Sequence, residues 1–542
     1  MNLRKLVVLI ALLACATVMF AQFATFTSFR ALSTANVLES DIEAIMTAAE
    51  LPYVDGFNVY TNLSNFNYSS EYLFDGYSPN FLVGFKGDFS NMLHAGVLIA
   101  SQNDMYTYEN AYTEIENRDS NGDEIYDVYS RYTDSSNYME VDQYDDNYFG
   151  FAFGQKDATK IGFSYSRGAY KYLETYNDVY FAIDSNLISG NYTTSYNGSN
   201  GDYYTENGVY QDFALSVYQP FGSMEAGFIF KYGPFTELDT ESYYDSVYTS
   251  GEPTSTNPRY FDRYVEDYAF NAKYNATRIV LGAVFFQRMN EDSLEFGMNY
   301  TNINQPNQPV TEVYNESYYE TYPTVIDPYT YSYTYTETAG DSSYSKETEN
   351  SFFVYLKYIK KLDKAMFGLG VAYMGMSSSY EECYMYDYSY TENYNDGNGI
   401  DDAGDYTITE SANYTYLDQG SSNNNVFVLP VGLEYNVWGN FSFRLGATTY
   451  FVWQNAEMTE RNTEFNPGTG VYEDLSGYTY EYLLSDPTYR YDYSGNGSSF
   501  YKYTEFTYGA SFAISENVAI DLMHFNDLTD LTNWQLSAKV KF

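Results

Sequence analysis

One pattern recurs along most of this chain and limits what it can become. A stretch of about ten residues alternates large apolar side chains with small or polar ones. A short turn follows, then a second such stretch, then a long segment rich in Tyr, Asp, Asn, Ser and Gly. Alternation with period two describes a β-strand with one apolar face. Phe149, Phe151 and Phe153 face one way, and Gly150, Ala152 and Gly154 the other. After a turn, Ile161, Phe163 and Tyr165 oppose Gly162, Ser164 and Ser166. Comparable pairs bracket Pro220-Phe221-Gly222, the turn from Met289 to Asp292, that from Lys360 to Lys364, Trp438-Gly439-Asn440, and the turn from Ser515 to Asn517. Nearer the start, Phe81, Val83 and Phe85 pair with Leu93, Ala95, Val97 and Ile99. The 67 Tyr and 38 Phe suit this reading, because aromatic residues are strand formers.

About ten residues is the length that crosses a bilayer as a tilted strand. Lipid cannot satisfy an unpaired backbone group, so a sheet there must close on itself. The seven hairpins give fourteen strands. A strand within 57–67 precedes them and one over 533–542 follows, making sixteen. The range is 14–18, because 263–276 reads either as an extension of the Ile279 strand or as an extra strand. The last stretch, from Asn533 to Phe542, puts Trp534, Leu536, Ala538, Val540 and Phe542 on one face and Gln535, Ser537, Lys539 and Lys541 on the other. It resembles the C-terminal strand of bacterial outer-membrane β-barrels, which ends in Phe and is read by the barrel-assembly machinery. The resemblance implies an all-β, transmembrane, antiparallel up-and-down β-barrel in the bacterial outer membrane. Short turns would be periplasmic, long loops extracellular, and outer-membrane lipid the partner of the apolar face. The last strand should pair across the seam with a strand in 56–67. Sixteen strands enclose an aqueous channel unless something fills it.

The N-terminus carries Arg4 and Lys5, an apolar run over 6–20, and Ala21-Gln22. This is the layout of a secretory signal peptide over 1–21. Residues 22–52 form an N-terminal periplasmic or plug segment with a short helix. Ser40 and Glu43 make a capping box; Leu38, Ile42, Ile45, Met46 and Ala49 share a face; Pro52 stops the helix. Asp41, Ala49 and Leu51 are similar to the start of the long-chain fatty-acid outer-membrane transporter family, where an Asp precedes an Asn-Pro-Ala-x-Leu run. This chain has Thr47-Ala48 in place of the Asn-Pro pair. In that family the N-terminal segment plugs the barrel. The other reading is a short periplasmic helix leading into the first strand. The barrel itself takes 53–542.

Acidic residues number 73 against 27 Lys and Arg, a net charge of −46. Such a chain is a poor nucleic-acid binder and attracts cations. Cys15 lies in the leader, so Cys383 is alone in the mature chain and no internal disulfide forms. The long segments hold most of the acid; 101–145 alone has twelve acidic residues and two Arg. Tyr329, Tyr331, Tyr333 and Tyr335 alternate within them. We therefore expect the barrel strands to run on outward as a β-ribbon wall, with Tyr rings packing across strands and hydroxyls in water. Disordered loops are the alternative.

Chemistry-bearing groups are few. His94 faces the lumen and His524 lies at the outer rim, and no nucleophile elbow, phosphate loop or Cys/His cluster is legible. We expect no enzyme. Two acidic loops resemble Ca²⁺ sites. Asp119, Asn121, Asp123 and Asp127 take positions 1, 3, 5 and 9 of an oxygen-rich loop, with Glu124 where glycine is needed. Asp396, Asn398, Asp402 and Asp405 take positions 3, 5, 9 and 12 of a second, with Gly399 in place at 6, but Tyr394 stands where the first ligand should be. Lumen-facing positions are mostly Gly, Ala and Ser, with Glu225, Lys231, Glu434 and Arg444 among the charges. The first functional expectation is an outer-membrane channel passing small solutes with a cation preference. The alternatives are an adhesive or structural surface protein with extracellular ligands, and a hydrophobic-solute transporter.

Overall fold

The computed structural model describes residues 29–38, 41–65, 81–118, 128–186, 193–251, 260–289, 292–322, 329–339, 343–395, 404–484, 491–525 and 535–542. The signal peptide over 1–21 and the start of the plug segment lie outside these residues.

Eighteen strands run in chain order among the described residues. They are β1 Asn58–Asn65, β2 Phe81–Asp88, β3 Leu93–Arg118, β4 Val128–Phe153, β5 Lys160–Asn186, β6 Thr193–Phe221 and β7 Met224–Gly251, then β8 Tyr260–Met289, β9 Asp292–Tyr322, β10 Tyr329–Ala339, β11 Tyr344–Lys361 and β12 Ala365–Asn395. The last six are β13 Tyr406–Trp438, β14 Phe441–Asp474, β15 Thr479–Leu483, β16 Tyr491–Ser515, β17 Val518–Phe525 and β18 Gln535–Lys541. Every neighbouring pair is antiparallel. Sixteen of them close a ring, because β1 pairs with both β2 and β18. The seam register runs from Asn58 opposite Lys541 to Asn65 opposite Gln535, so the expected closing pair forms. The terminal amide of Phe542 also bonds the carbonyl of Phe57 at 2.9 Å. β10 and β15 stand outside the ring: β10 bridges β9 and β12 above the end of β11, and β15 lies on β14. Residues 263–276 belong to β8, which resolves that ambiguity as an extension.

The lower ten or so residues of each strand carry the lipid face. Phe85, Phe151, Phe163, Phe228, Leu281, Phe296, Leu356, Leu369 and Phe512 are all exposed there. A monomeric soluble sheet does not leave so large an apolar belt uncovered. The architecture is that of a bacterial outer-membrane β-barrel. No helix among the described residues is long and apolar enough to cross a membrane.

The strands do not stop at the membrane. β3 has 26 residues and β14 has 34, and a 30-residue strand is about 100 Å long. Roughly two-thirds of such a strand stands above the lipid belt. The expected ribbon wall forms, with one correction. The tyrosine hydroxyls are not simply in water; they bond carboxylates. Tyr138 donates to Glu140, Tyr172 to Glu174, Tyr264 to Glu266 and Tyr390 to Glu392, each two residues on. Side chains two apart in a strand share a face, so a phenol reaches the next carboxylate along.

Candidate functional site

The lower lumen is occupied by the chain's own N-terminal segment. It comprises α1 (Phe29–Ser33), α2 (Asp41–Met46) and a 3₁₀ turn over Ala48–Tyr53. The single helix expected from the sequence is broken at Thr47, whose backbone is extended (φ −107°, ψ 98°). The cause is a contact with the wall: the Ala49 amide, which a continuing helix would spend on a carbonyl four residues back, donates to Ser216 Oγ at 3.0 Å. Pro52 lies within the 3₁₀ turn rather than ending the helix. Ser40, the expected cap, is outside the described residues.

The 3₁₀ turn packs on β3 to β6, and α1 on β14, β16 and β17, on the other side of the ring. The apolar face settles on one patch of wall. Ile45, Ala48 and Leu51 are fully buried with Leu98, Tyr148 and Ala152, and Ala49 with Tyr218 and Val284. Small wall residues make room. A Cβ at Gly162 would overlap the backbone of Ala48 and Ala49, and one at Gly446 would lie 2.5 Å from the Ala35 nitrogen. Of the three residues behind the fatty-acid transporter resemblance, Ala49 and Leu51 are fully buried here. The third, Asp41, accepts the Tyr60 hydroxyl at 2.9 Å and pairs with Lys539.

Ion pairs tie the segment down. Arg30 Nε meets Glu434 Oε2 at 3.0 Å; Arg444 meets the same oxygen at 2.7 Å and Asp521 Oδ1 at 2.6 Å. On the opposite wall, Lys160 pairs with Glu225, and both bond the Tyr53 hydroxyl. Lys160 and Arg288 also sit 4.4 and 4.9 Å from the Tyr53 ring centre. Sequence placed Glu225, Glu434 and Arg444 on the lumen face, where they are. It missed Lys160, which is fully buried, and the Lys86–Asp88 ion pair, whose Asp88 also meets His94 Nδ1. His94 faces inward as expected, with Nε2 3.2 Å from the Gly154 carbonyl.

Above this level the inner face turns acidic. Glu206 on β6 stands in register with Asp239 on β7, and Glu237 is in register with Gly208 and Tyr274. Tyr170 donates to Glu237 at 2.6 Å. Glu347 and Glu349 share the inner face of β11 with Ser351 and Lys357, opposite the exposed Phe352 and Leu356. Burial, with Glu206 and other carboxylates beside it, pushes Glu237 up to about 8. Burial and Glu206 push Asp239 up to about 7. Glu347 and Glu349 are each raised to about 7, again chiefly by burial.

Of the candidate Ca²⁺ ligands, Asp119, Asn121, Asp123, Asp127, Asp396, Asn398 and Asp402 lie outside the described residues. Asp405 is buried beside the start of β13, where its carbonyl accepts the Leu475 amide at 3.1 Å. Among the described residues no three His, Cys, Asp or Glu side chains converge as a metal would require. Cys383 is a buried free thiol on β12. The side chain of His524 is not among those described.

No family model and no curated protein matches this sequence. Among solved structures, similarity is found to the Ralstonia pickettii toluene transporter TbuX, with 11% identity over 96% of this chain and 99% of that one, at a TM-score of 0.28. It is found also to the Acinetobacter baumannii siderophore receptor PiuA, with 10% identity over 90% of this chain and 82% of that one, at 0.24. The Bordetella pertussis alcaligin outer-membrane receptor FauA gives 10% identity over 90% and 76%, at 0.17. Scores of this size carry no comparison of sites or functions.

Proposed function

We propose that this protein is a gated outer-membrane transporter for small organic solutes, with residues 22–52 as the gate. The observation that carries the reading is the lodging of Phe29–Ser33, Asp41–Met46 and Ala48–Tyr53 inside the ring, fastened to both sides of it. A diffusion pore needs a clear lumen; a segment held by apolar burial and ion pairs argues for passage that waits on displacement. The gate's contacts with Leu98, Tyr148 and Tyr218 favour solutes with an apolar body, which can replace those contacts as the gate moves. The N-terminal resemblance to fatty-acid transporters points the same way. The acidic tier above sets a preference for cations over anions. The height of the wall favours a second role, in contact with extracellular surfaces through its tyrosines.

Planar-bilayer recording of the full chain tests the gate. The native protein should be silent or flicker rarely. Gly162→Leu, which crowds Ala48 and Ala49, should give sustained steps with a cation-selective reversal potential. Sustained steps from the native protein would return the simple pore to first place.

A further inference from the structure

The wall above the membrane ring is not closed. β2 starts opposite Ser101 of β3, and β17 ends opposite Thr507 of β16. Above those points neither β3 nor β16 has a partner on the seam side among the described residues, and the two do not pair with each other. The wall is therefore an open sheet with β3 as one edge, β16 as the other, and a slit between them. Exposure is an independent sign of the same thing. Met105 to Asn117 on β3 are exposed on both faces, and so are Asn496 to Phe506 on β16. In the same rows of the sheet as Met105 to Tyr108, Leu173 to Tyr176 of β5 are half-buried. Residues 66–80 link β1 to β2, and 526–534 link β17 to β18. Rising and returning, links of these lengths reach over about seven and four positions, which leaves most of both edges beyond them.

An unpaired edge from Met105 to Asn117 presents about 40 Å of free amides and carbonyls, a template for another strand. Neither edge is blunted by proline, and Met105 to Asn117 holds no lysine. The two edges match each other. β3 runs away from the membrane and β16 toward it, so they meet antiparallel. One register sets Glu109 opposite Lys502, the one Lys or Arg between Met105 and Asn117 or between Ser494 and Phe506. The same register sets Met105 opposite Phe506 and Ala111 opposite Phe500 on the outer face, and Tyr106 opposite Glu505 and Tyr108 opposite Tyr503 on the inner face. From Met105–Phe506 to Asn117–Ser494 it places no acid opposite an acid, in a chain with 73 Asp and Glu. Tyrosine against tyrosine and phenol against carboxylate also hold the closed part of the wall, as between Tyr172 and Tyr204 and between Tyr170 and Glu237.

Within one chain the edges are held apart. β17, β18, β1 and β2 stand between β16 and β3 in the ring, which makes five strand spacings, about 24 Å. A second copy solves the geometry. Turned by 180° about the membrane normal, it presents its slit with the two sides exchanged, so each β3 faces the other copy's β16. Both copies keep the same orientation in the membrane. We propose that this protein forms a two-fold dimer in the outer membrane, its two open walls joined edge to edge by β3–β16 ladders into one continuous wall. The dimer is independent of the gate.

Cysteine cross-linking in cells, in a Cys383→Ser background, and mass measurement in mild detergent test it. Chains carrying A111C and chains carrying F500C, expressed together, should give a disulfide-linked dimer, since opposed strand positions lie within disulfide reach. Either chain alone should not. The native protein should show twice the chain mass by light scattering. K502E sets acid against acid and should weaken the dimer at least tenfold. E109K/K502E restores the pair in reverse and should return it to within threefold of the native protein. Heat-dependent gel mobility reports that the barrel is intact, and if K502E does not fold, the paired cysteines decide. A single-chain mass with no cross-link overturns the dimer. So does a disulfide formed within one A111C/F500C chain in monomers, which would mean that the wall closes on itself. A cross-linked dimer whose stability ignores the charge reversal overturns the register.

Discussion

Tyrosine paired with the carboxylate two residues on recurs along the described strands. Tyr112 with Glu114, Tyr204 with Glu206, Tyr314 with Glu316 and Tyr335 with Glu337 repeat it. It answers a shortage. With 73 acids and 27 Lys and Arg, most carboxylates have no cation to pair with, and a neutral phenol satisfies one without adding charge. The same bond holds the phenol protonated. Burial comes first at Tyr138, and its hydrogen bond to Glu140 and the nearby Glu174 charge add to it, all raising its ionisation above the ordinary range. Absorbance titration of the folded protein should therefore show much of the tyrosine titrating well above pH 10, the fraction falling to ordinary behaviour on unfolding. Tyr138→Phe should cost about 1 kcal/mol in denaturant unfolding. The ion pairs of the lumen behave differently, because they are buried. Arg444 is 5% exposed and serves both Glu434 and Asp521. Arg444→Ala takes the cation from Asp521, leaves Glu434 with Arg30 alone, and should cost about 3–5 kcal/mol. Arg30→Ala leaves Glu434 with Arg444 and should cost clearly less, while loosening α1; unfolding of the two variants side by side measures the difference.

The N-terminal segment is held at two separate places, so its ends can be loosened independently. Gly446→Leu crowds Thr34 and Ala35, just past α1, from β14, and Gly162→Leu crowds the 3₁₀ turn from β5. Each should raise open probability in bilayers. Gly439→Leu should not, since nothing lies within 4 Å of a Cβ at that turn. A rise with Gly439→Leu equal to the other two would mean that any barrel perturbation opens the channel. Much of this scaffold was legible in the sequence, because strand alternation and turn placement are local. Phe149, Phe151 and Phe153 announce their face without reference to any distant residue, and the seam partner of Phe542 followed from the strand count. The gate's fastening was not legible. Arg30 and Glu434 are 404 positions apart, and nothing near either names the other. The break at Thr47 depends likewise on Ser216, 167 positions from its partner Ala49. The tyrosine wall was half legible: the alternation of Tyr329 to Tyr335 gave strands, but the Glu two places after a Tyr was read as charge rather than as the phenol's acceptor.

At the scale of the whole molecule, a short membrane ring carries a tall acidic wall, and the two respond to pH in separate ways. Glu237 and Asp239 lie on the inner face of β7 and Glu347 and Glu349 on that of β11, with Glu206 opposite Asp239 and Tyr170 on Glu237. Each of the four holds its proton more tightly in the folded chain than in the unfolded one, the pKa rising to about 8 for Glu237 and about 7 for the others. Between the ordinary carboxylate range and pH 8 the folded state therefore binds more protons than the unfolded state. Stability then falls as pH rises through that window, the reverse of an acid-labile protein held by salt-bridged carboxylates. Thermal unfolding in micelles should give a higher Tm at pH 5.5 than at pH 8.5. E237Q should flatten that dependence, because the glutamine cannot ionise. A Tm that rises from pH 5.5 to 8.5 would show that the tier's acids are ionised at little cost, and that the buried oxygens of Asp239 and Glu349 already have partners in the folded chain.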